Sequence, residues 1–240
     1  MNPNDINALM LESVARRLGD DLLGELVFIG GAVVGLLITD PAMPTIRPTE
    51  DVDLLVQALS LADYHRVGET LAARGFTHDM RPDAPICRWR IDRIAVDVMP
   101  VLEDILGFSN IWYPLALESA ESRSLPGGAV IRLVAPPVFL ATKLEAFSGR
   151  GNNDYLFSHD LGDVLAVIDG RDSLLDECRA SRADLRTYLG ERVAALLATS
   201  TFVEALSGHL PGDAASQARL PDMVDKLRAL ARLASETVSE

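Results

Sequence analysis

The sequence predicts an α+β fold: a mixed β-sheet domain with flanking helices over residues 1–135, followed by a helical domain over 136–240. Three observations carry this expectation. The first hundred residues alternate helical periodicity with short apolar runs. Two alternating segments separated only by Asp92-Arg93 read as a β-hairpin. After Pro136-Pro137 the pattern becomes helical to the end of the chain.

Taking the elements in order, Ile6, Leu9, Met10, Val14 and Leu18 recur at helical spacing, with Asn4 or Asp5 as cap, and predict an amphipathic helix over 5–18 that ends near Gly19. Residues 25–29 form a short buried strand, and Gly30-Gly31 turns it into a second helix through Leu37. Glycine there permits close approach of backbone to a ligand, and amides at a helix start favour phosphate. A plain tight turn explains the same pair. Residues 39–49 contain Pro41, Pro44 and Pro48 and are expected to be a loop. It leads into a strand with Asp51 and Asp53 on one face and Val52 and Leu54 on the other. Two neighbouring carboxylates repel, so a cation between them is expected, and magnesium, a hard ion that takes oxygen ligands, is the natural candidate, or manganese in its place.

A helix follows over 59–74, carried by Leu61, Tyr64, Val67 and Leu71 and stopped by Gly75. The hairpin is expected over 86–91 and 94–99. A two-residue turn sets Arg90 opposite Ala95 and Arg88 opposite Asp97. One face is then apolar (Cys87, Trp89, Ile91, Ile94, Val96, Val98) and the other carries Arg88, Arg90 and Asp97. Asp97 completes a three-carboxylate set with Asp51 and Asp53, unless it serves only a cross-strand pair with Arg88. Residues 101–135 read as largely irregular, with a strand at 129–134. The helical half is expected to hold helices at 136–148, 159–169, 172–179, 182–199, 200–207 and 219–236. In it Lys143 and Arg150 stand two turns apart on one face, and Asp160 and Asp163 on adjacent turns of the next helix. A solvated lysine and a first-turn acid behind the cap Ser158 are the plainer explanations.

Composition narrows the function classes. At 240 residues, 48% of them hydrophobic, the chain holds one large domain or two small ones. The apolar runs at 22–38 and 129–141 are too short or too interrupted to span a membrane, and the start MNPNDINALMLE is acidic where a secretory signal is basic, so a cytoplasmic protein without membrane association is expected. Cys87 and Cys178 lack metal-ligand spacing and are expected as reduced thiols, and no pair among His65, His78, His159 and His209 has the spacing of a zinc site. The net charge of −13 means that a nucleic-acid partner needs a local basic patch. Arg81, Arg88, Arg90 and Arg93 are the candidates, against the commoner outcome of a solvated face.

Gly30-Gly31, Asp51-x-Asp53 and Asp97 together resemble the pattern of the polymerase-beta-type nucleotidyltransferases, with a longer, proline-containing interval between glycines and aspartates. Arg47-x-Thr49-x-Asp51-x-Asp53, the Lys143-Leu-Glu-Ala segment with Arg150, and Ser158-His-Asp160-Leu-Gly-Asp163 are similar to the motifs of AbiEii/AbiGii-type nucleotidyltransferase toxins of bacterial toxin–antitoxin and phage-defence systems. The likeness covers about residues 25–170. It implies a polymerase-beta-like mixed sheet, a helical second half that completes an active-site cleft, and transfer of a nucleotide from an NTP to RNA, typically the acceptor end of tRNA, which blocks translation. A cognate antitoxin protein is the implied partner.

Under that resemblance Asp51, Asp53 and Asp97 are the metal ligands, and Asp97 helps to deprotonate the attacking hydroxyl. Gly30 and Gly31 offer amides to the phosphates, with Arg47 and Thr49 beside the nucleotide. Lys143 or Arg150 offsets charge on the leaving pyrophosphate. Asp160 and Asp163 are carried over as motif positions that orient the basic residues or the nucleotide. Two other readings stay open: a transferase acting on a small cationic molecule of aminoglycoside type or on a protein hydroxyl, and an inactive nucleotide-binding partner protein.

Overall fold

The structure, a computed structural model, describes residues 5–43 and 46–236. The chain divides into two compact units, residues 1–36 with 47–135 and residues 37–46 with 136–240. The division is therefore not a single cut at 135, because part of the proline loop belongs with the helices. Asn4, the alternative helix cap, and Pro44 of the loop lie outside the described residues.

The first unit is built on a seven-stranded mixed sheet. Its strands are β1 (Leu26–Ile29), β2 (Asp51–Val56), β3 (Thr77–His78), β4 (Arg88–Ile91), β5 (Ile94–Pro100), β6 (Glu121–Ser124) and β7 (Val130–Leu133), in the order β3-β4-β5-β2-β1-β7-β6. β2 runs parallel to β5 and antiparallel to β1, and β1 runs parallel to β7. The two centre strands owe their place to their sequences: LVFI is buried throughout β1, and in β2 Val52 and Leu54 are fully buried between the half-exposed Asp51 and Asp53.

Helix α1 (Ile6–Glu25) packs on β1, β2 and β7 and buries Leu11, Val14 and Leu18 completely. Asp5 caps it by accepting from the Asn7 amide. The backbone breaks at Gly19, at φ 68° and ψ 165°, so the expected stop is a kink, and a further turn carries the chain to β1. After β1 a 3-10 turn (Gly31–Val33) leads into α2 (Val34–Leu37), shorter than a full helix. Helix α3 (Leu61–Ala73) is capped by Ser60, and Gly75 follows at φ 86°.

The hairpin forms in the expected register, Arg88 opposite Asp97 and Arg90 opposite Ala95. Asp92 supplies the positive backbone angle of the turn, φ 53°, where no glycine is present. Its first strand begins at Arg88 rather than at residue 86. Residues 101–135 are more regular than expected. They contain α4 (Glu103–Leu106), α5 (Tyr113–Glu118) and the pair β6–β7.

The second unit is helical. It comprises α6 (Pro136–Arg150), α7 (His159–Gly170), α8 (Leu174–Ala180), α9 (Ala183–Leu197), α10 (Ser200–Ala205), α11 (Ala214–Gln217) and α12 (Leu220–Ala231). Residues 37–40 are fastened to it: the amides of Thr39 and Asp40 both donate to Gly170 O at 2.9 Å, and Arg171 Nη1 donates to Leu37 O at 2.8 Å. Arg219 bridges Asp40 and the buried Asp169 at 2.7 and 2.8 Å. Among the described residues no helix is long and apolar enough to cross a membrane. Cys87 and Cys178 are buried free thiols.

Candidate active site

Register brings the three aspartates together. In the parallel β2–β5 ladder Asp53 is the partner of Asp97 and Asp51 lies two residues earlier, so the three side chains share one face. Their ligand oxygens all lie within 4.8 Å of one another. At an effective dielectric of about 20, two ionised carboxylates at that spacing repel by on the order of 3 kcal/mol, a repulsion that a positive charge between them would offset. The donor set is entirely carboxylate oxygen, which suits a hard divalent ion such as magnesium.

Arg88 supplies a positive charge within the protein itself. Its Nε and Nη2 donate to Asp97 Oδ1 and Oδ2 at 2.8 and 2.7 Å, and Nη2 also donates to Asp51 Oδ2 at 2.8 Å. The fork on Asp97 and the charges of the three aspartates push the Arg88 pKa further up, outweighing burial. The sequence places Arg88 opposite Asp97, but not its reach to Asp51, which depends on the β2–β5 crossover. Cys87, next to it, is a buried thiol. Burial and then the Asp97 charge push its thiol up to about 12.

Gly30 completes this corner of the site. It sits at φ 79° and ψ −165°, a region open essentially to glycine, and a methyl group built on it would overlap the Asp53 carboxyl. The close approach the sequence suggested at Gly30-Gly31 is therefore made by the Asp53 side chain, and both glycines are buried. Because α2 is a single turn, any anion preference here comes from backbone amides and not from a long helix dipole.

The segment before β2 is held by a residue that sequence reasoning passed over. Asn7 is completely buried; its Oδ1 accepts from the Thr49 amide at 2.9 Å and its Nδ2 donates to Arg47 O at 3.1 Å. Thr49 is buried, and its hydroxyl lies 3.2 Å from Asp51 O. Arg47 is exposed. An asparagine in the first turn of an otherwise apolar helix face was the available signal.

In the second unit Lys143, Arg150, Asp160 and Asp163 form one ion-pair cluster. Lys143 Nζ lies 3.2 Å from Asp160 and 2.8 Å from Asp163, and Arg150 forks onto Asp160 with two contacts of 2.9 Å. Lys143 is not a solvated lysine; its side chain is 11% exposed, whereas that of Arg150 is 72% exposed. Burial raises the Asp160 pKa, but the Arg150 hydrogen bonds and the Lys143 charge outweigh it and the net shift is downward. Elsewhere in this unit a cavity of about 480 Å³ is lined by residues that include Phe147, Tyr155, Leu196, Asn152, Asn153 and Arg192. Asn152 and Asn153 both have positive φ, 47° and 59°, a signal legible in the run Gly-Asn-Asn-Asp.

The expected arginine patch is largely neutralised. Arg81 forks onto the buried Asp79 with contacts down to 2.6 Å, Arg90 lies 3.6 Å from the same carboxylate, and Arg88 serves the triad. The Arg81 hydrogen bonds hold Asp79 down at about 2.

No protein-family model matches the chain, and no curated protein matches it in sequence. Among solved structures it is similar to a candidate nucleotidyltransferase from Helicobacter pylori, at 12% identity and a TM-score of 0.46, over 98% of this chain and 95% of that one. It is also similar to the protein JHP933 of Helicobacter pylori, at 13% identity and a TM-score of 0.44, over 96% and 91% of the two chains.

Proposed function

We propose that the chain is a metal-dependent nucleotidyltransferase that moves a nucleotide from an NTP to RNA, the tRNA acceptor end first among the candidates. In this reading it acts in the cytoplasm as the toxin of a toxin–antitoxin pair. The observation that carries the reading is the convergence of Asp51, Asp53 and Asp97 within 4.8 Å on adjacent strands. A divalent ion held there would draw charge from the phosphoryl oxygens and acidify an attacking hydroxyl. The chain's own groups do the rest. Gly30 keeps the Asp53 carboxyl against the backbone and so fixes its direction. Asp97, mostly buried at 10% exposure, accepts the proton of the attacking hydroxyl once one of its oxygens is released by Arg88.

The resemblance of motifs assigns Lys143, Arg150, Asp160 and Asp163 to the nucleotide, with the aspartates holding the two cations in fixed directions. Arg47, Thr49 and the Gly30-Gly31 amides are assigned to the phosphates on the same ground. One observation favours a second acceptor: with Arg81, Arg88 and Arg90 paired to aspartates, the −13 chain has lost the basic patch its sequence suggested, and an acidic surface attracts a cationic small molecule of aminoglycoside type.

Incubation with α-labelled NTPs, magnesium and total tRNA, in parallel with aminoglycosides, distinguishes these. Labelled RNA is the expected product, and label on the small molecule alone selects the second acceptor. No transfer to any acceptor, with Asp53→Ala indistinguishable from the parent protein, rejects the enzyme.

A further inference from the structure

The best-defined contact at the triad is one that a metal site does not need. A guanidinium and a hard divalent ion compete for the same thing, the lone pairs of carboxylate oxygens. Arg88 occupies both oxygens of Asp97 and one of Asp51. The Asp97 side chain is only 10% exposed, with both of its oxygens taken up by the guanidinium. Nor is Arg88 a stray surface group. Its side chain is 21% exposed, and the β4–β5 register pins its backbone opposite Asp97.

We propose that Arg88 is the built-in counter-ion of the metal-free triad and that divalent cations bind by exchange with it, the guanidinium releasing Asp51 and Asp97 as the ion arrives. The proposal rests on reading the triad as a metal site. Without the ion, Arg88 offsets the repulsion among the three carboxylates and so holds β2 and β5 in place. With the ion, the released guanidinium remains beside the site as a positive group for an anionic ligand such as a triphosphate. Metal and NTP then bind cooperatively, because the first ligand creates a contact for the second.

The test is titration of Mn2+ alone, by calorimetry and by the electron-spin signal of the free ion. It is run on the parent protein, Arg88→Gln and Asp53→Asn, with circular dichroism and thermal melting as fold controls. Arg88→Gln should bind Mn2+ about tenfold more tightly, an effect of about 1.4 kcal/mol, and its Tm, lowered without metal, should rise more on adding Mn2+. Should Arg88→Gln not fold, Arg88→Lys, which keeps the charge but loses the fork, carries the same comparison with an expected severalfold gain. Equal or weaker Mn2+ binding by the folded Arg88 variant, with the parent still binding and Asp53→Asn not, overturns the exchange and leaves the metal site standing. Absence of binding in parent and variants alike overturns both.

Discussion

Gly30 links the backbone of the strand–turn corner to the chemistry of Asp53, and Gly30→Ala tests that link. Alanine at φ 79° and ψ −165° is strained by about 1–3 kcal/mol. Its methyl group would also overlap Asp53, meeting Cγ at 2.6 Å and Cβ at 2.8 Å, so either the turn or the carboxylate must move. Overpacking of this kind adds roughly 1–3 kcal/mol. The sum predicts a loss of about 2–6 kcal/mol, or roughly 4–24 °C in Tm for a chain of this size. Mn2+ affinity should fall with it, since Asp53 is one of three ligands. The assay is thermal melting with Mn2+ titration, run beside Gly24→Ala, where an added methyl meets nothing within 4 Å and helix propensity should gain about 0.5–1 kcal/mol. A Gly30→Ala protein with parental Tm and metal affinity would refute the argument that glycine is required for Asp53.

Replacing Lys143 by Met leaves Asp160 and Asp163 with one cation fewer in a mostly buried cluster, and urea unfolding should show a loss of about 3–5 kcal/mol. A loss below about 1 kcal/mol would mean that the cluster is solvated. The acid limb of stability should depend on Asp160. Because its folded pKa lies below the ordinary 3.8, its ionised form stabilises the protein above that pH, and this contribution disappears as pH falls through the folded value. Asp160→Asn should therefore flatten the Tm profile below about pH 4, and an unchanged profile would contradict the assignment. Cys87 should resist alkylation at pH 8 in the folded protein and react on unfolding, because its thiol is pushed up to about 12; rapid labelling of the native protein would count against its burial beside Asp97.

The parts of the fold legible in the sequence are those fixed by local pattern. Alternation in β2 sets Asp51 and Asp53 on one face, and the two-residue interval Asp92-Arg93 fixes the hairpin register to the residue, with Asp92 adopting the positive φ that a glycine would normally supply. What escaped has no local pattern to show. β6 is the polar string ESRS, which pairs only because β7 offers an edge, and β3 has two residues. α5 is only about a turn and a half long, with Pro114 in its first turn. The attachment of residues 37–40 to the helical unit runs through Gly170 O, Arg171 and Arg219, partners more than a hundred residues away. At the site the same division holds. The three aspartates were readable, while the Arg88–Asp51 contact spans 37 residues and needs the parallel crossover that no spacing rule supplies.

The proposed chemistry stands or falls on whether a divalent ion binds at the triad. Crystals grown with Mn2+ and a non-hydrolysable NTP, measured at the manganese absorption edge, give a direct answer. The expected result is an anomalous peak within coordination distance of Asp51, Asp53 and Asp97, lost in Asp53→Asn. A fully ordered triad still clasped by Arg88, with the anomalous signal absent or located at another acidic cluster, would contradict it.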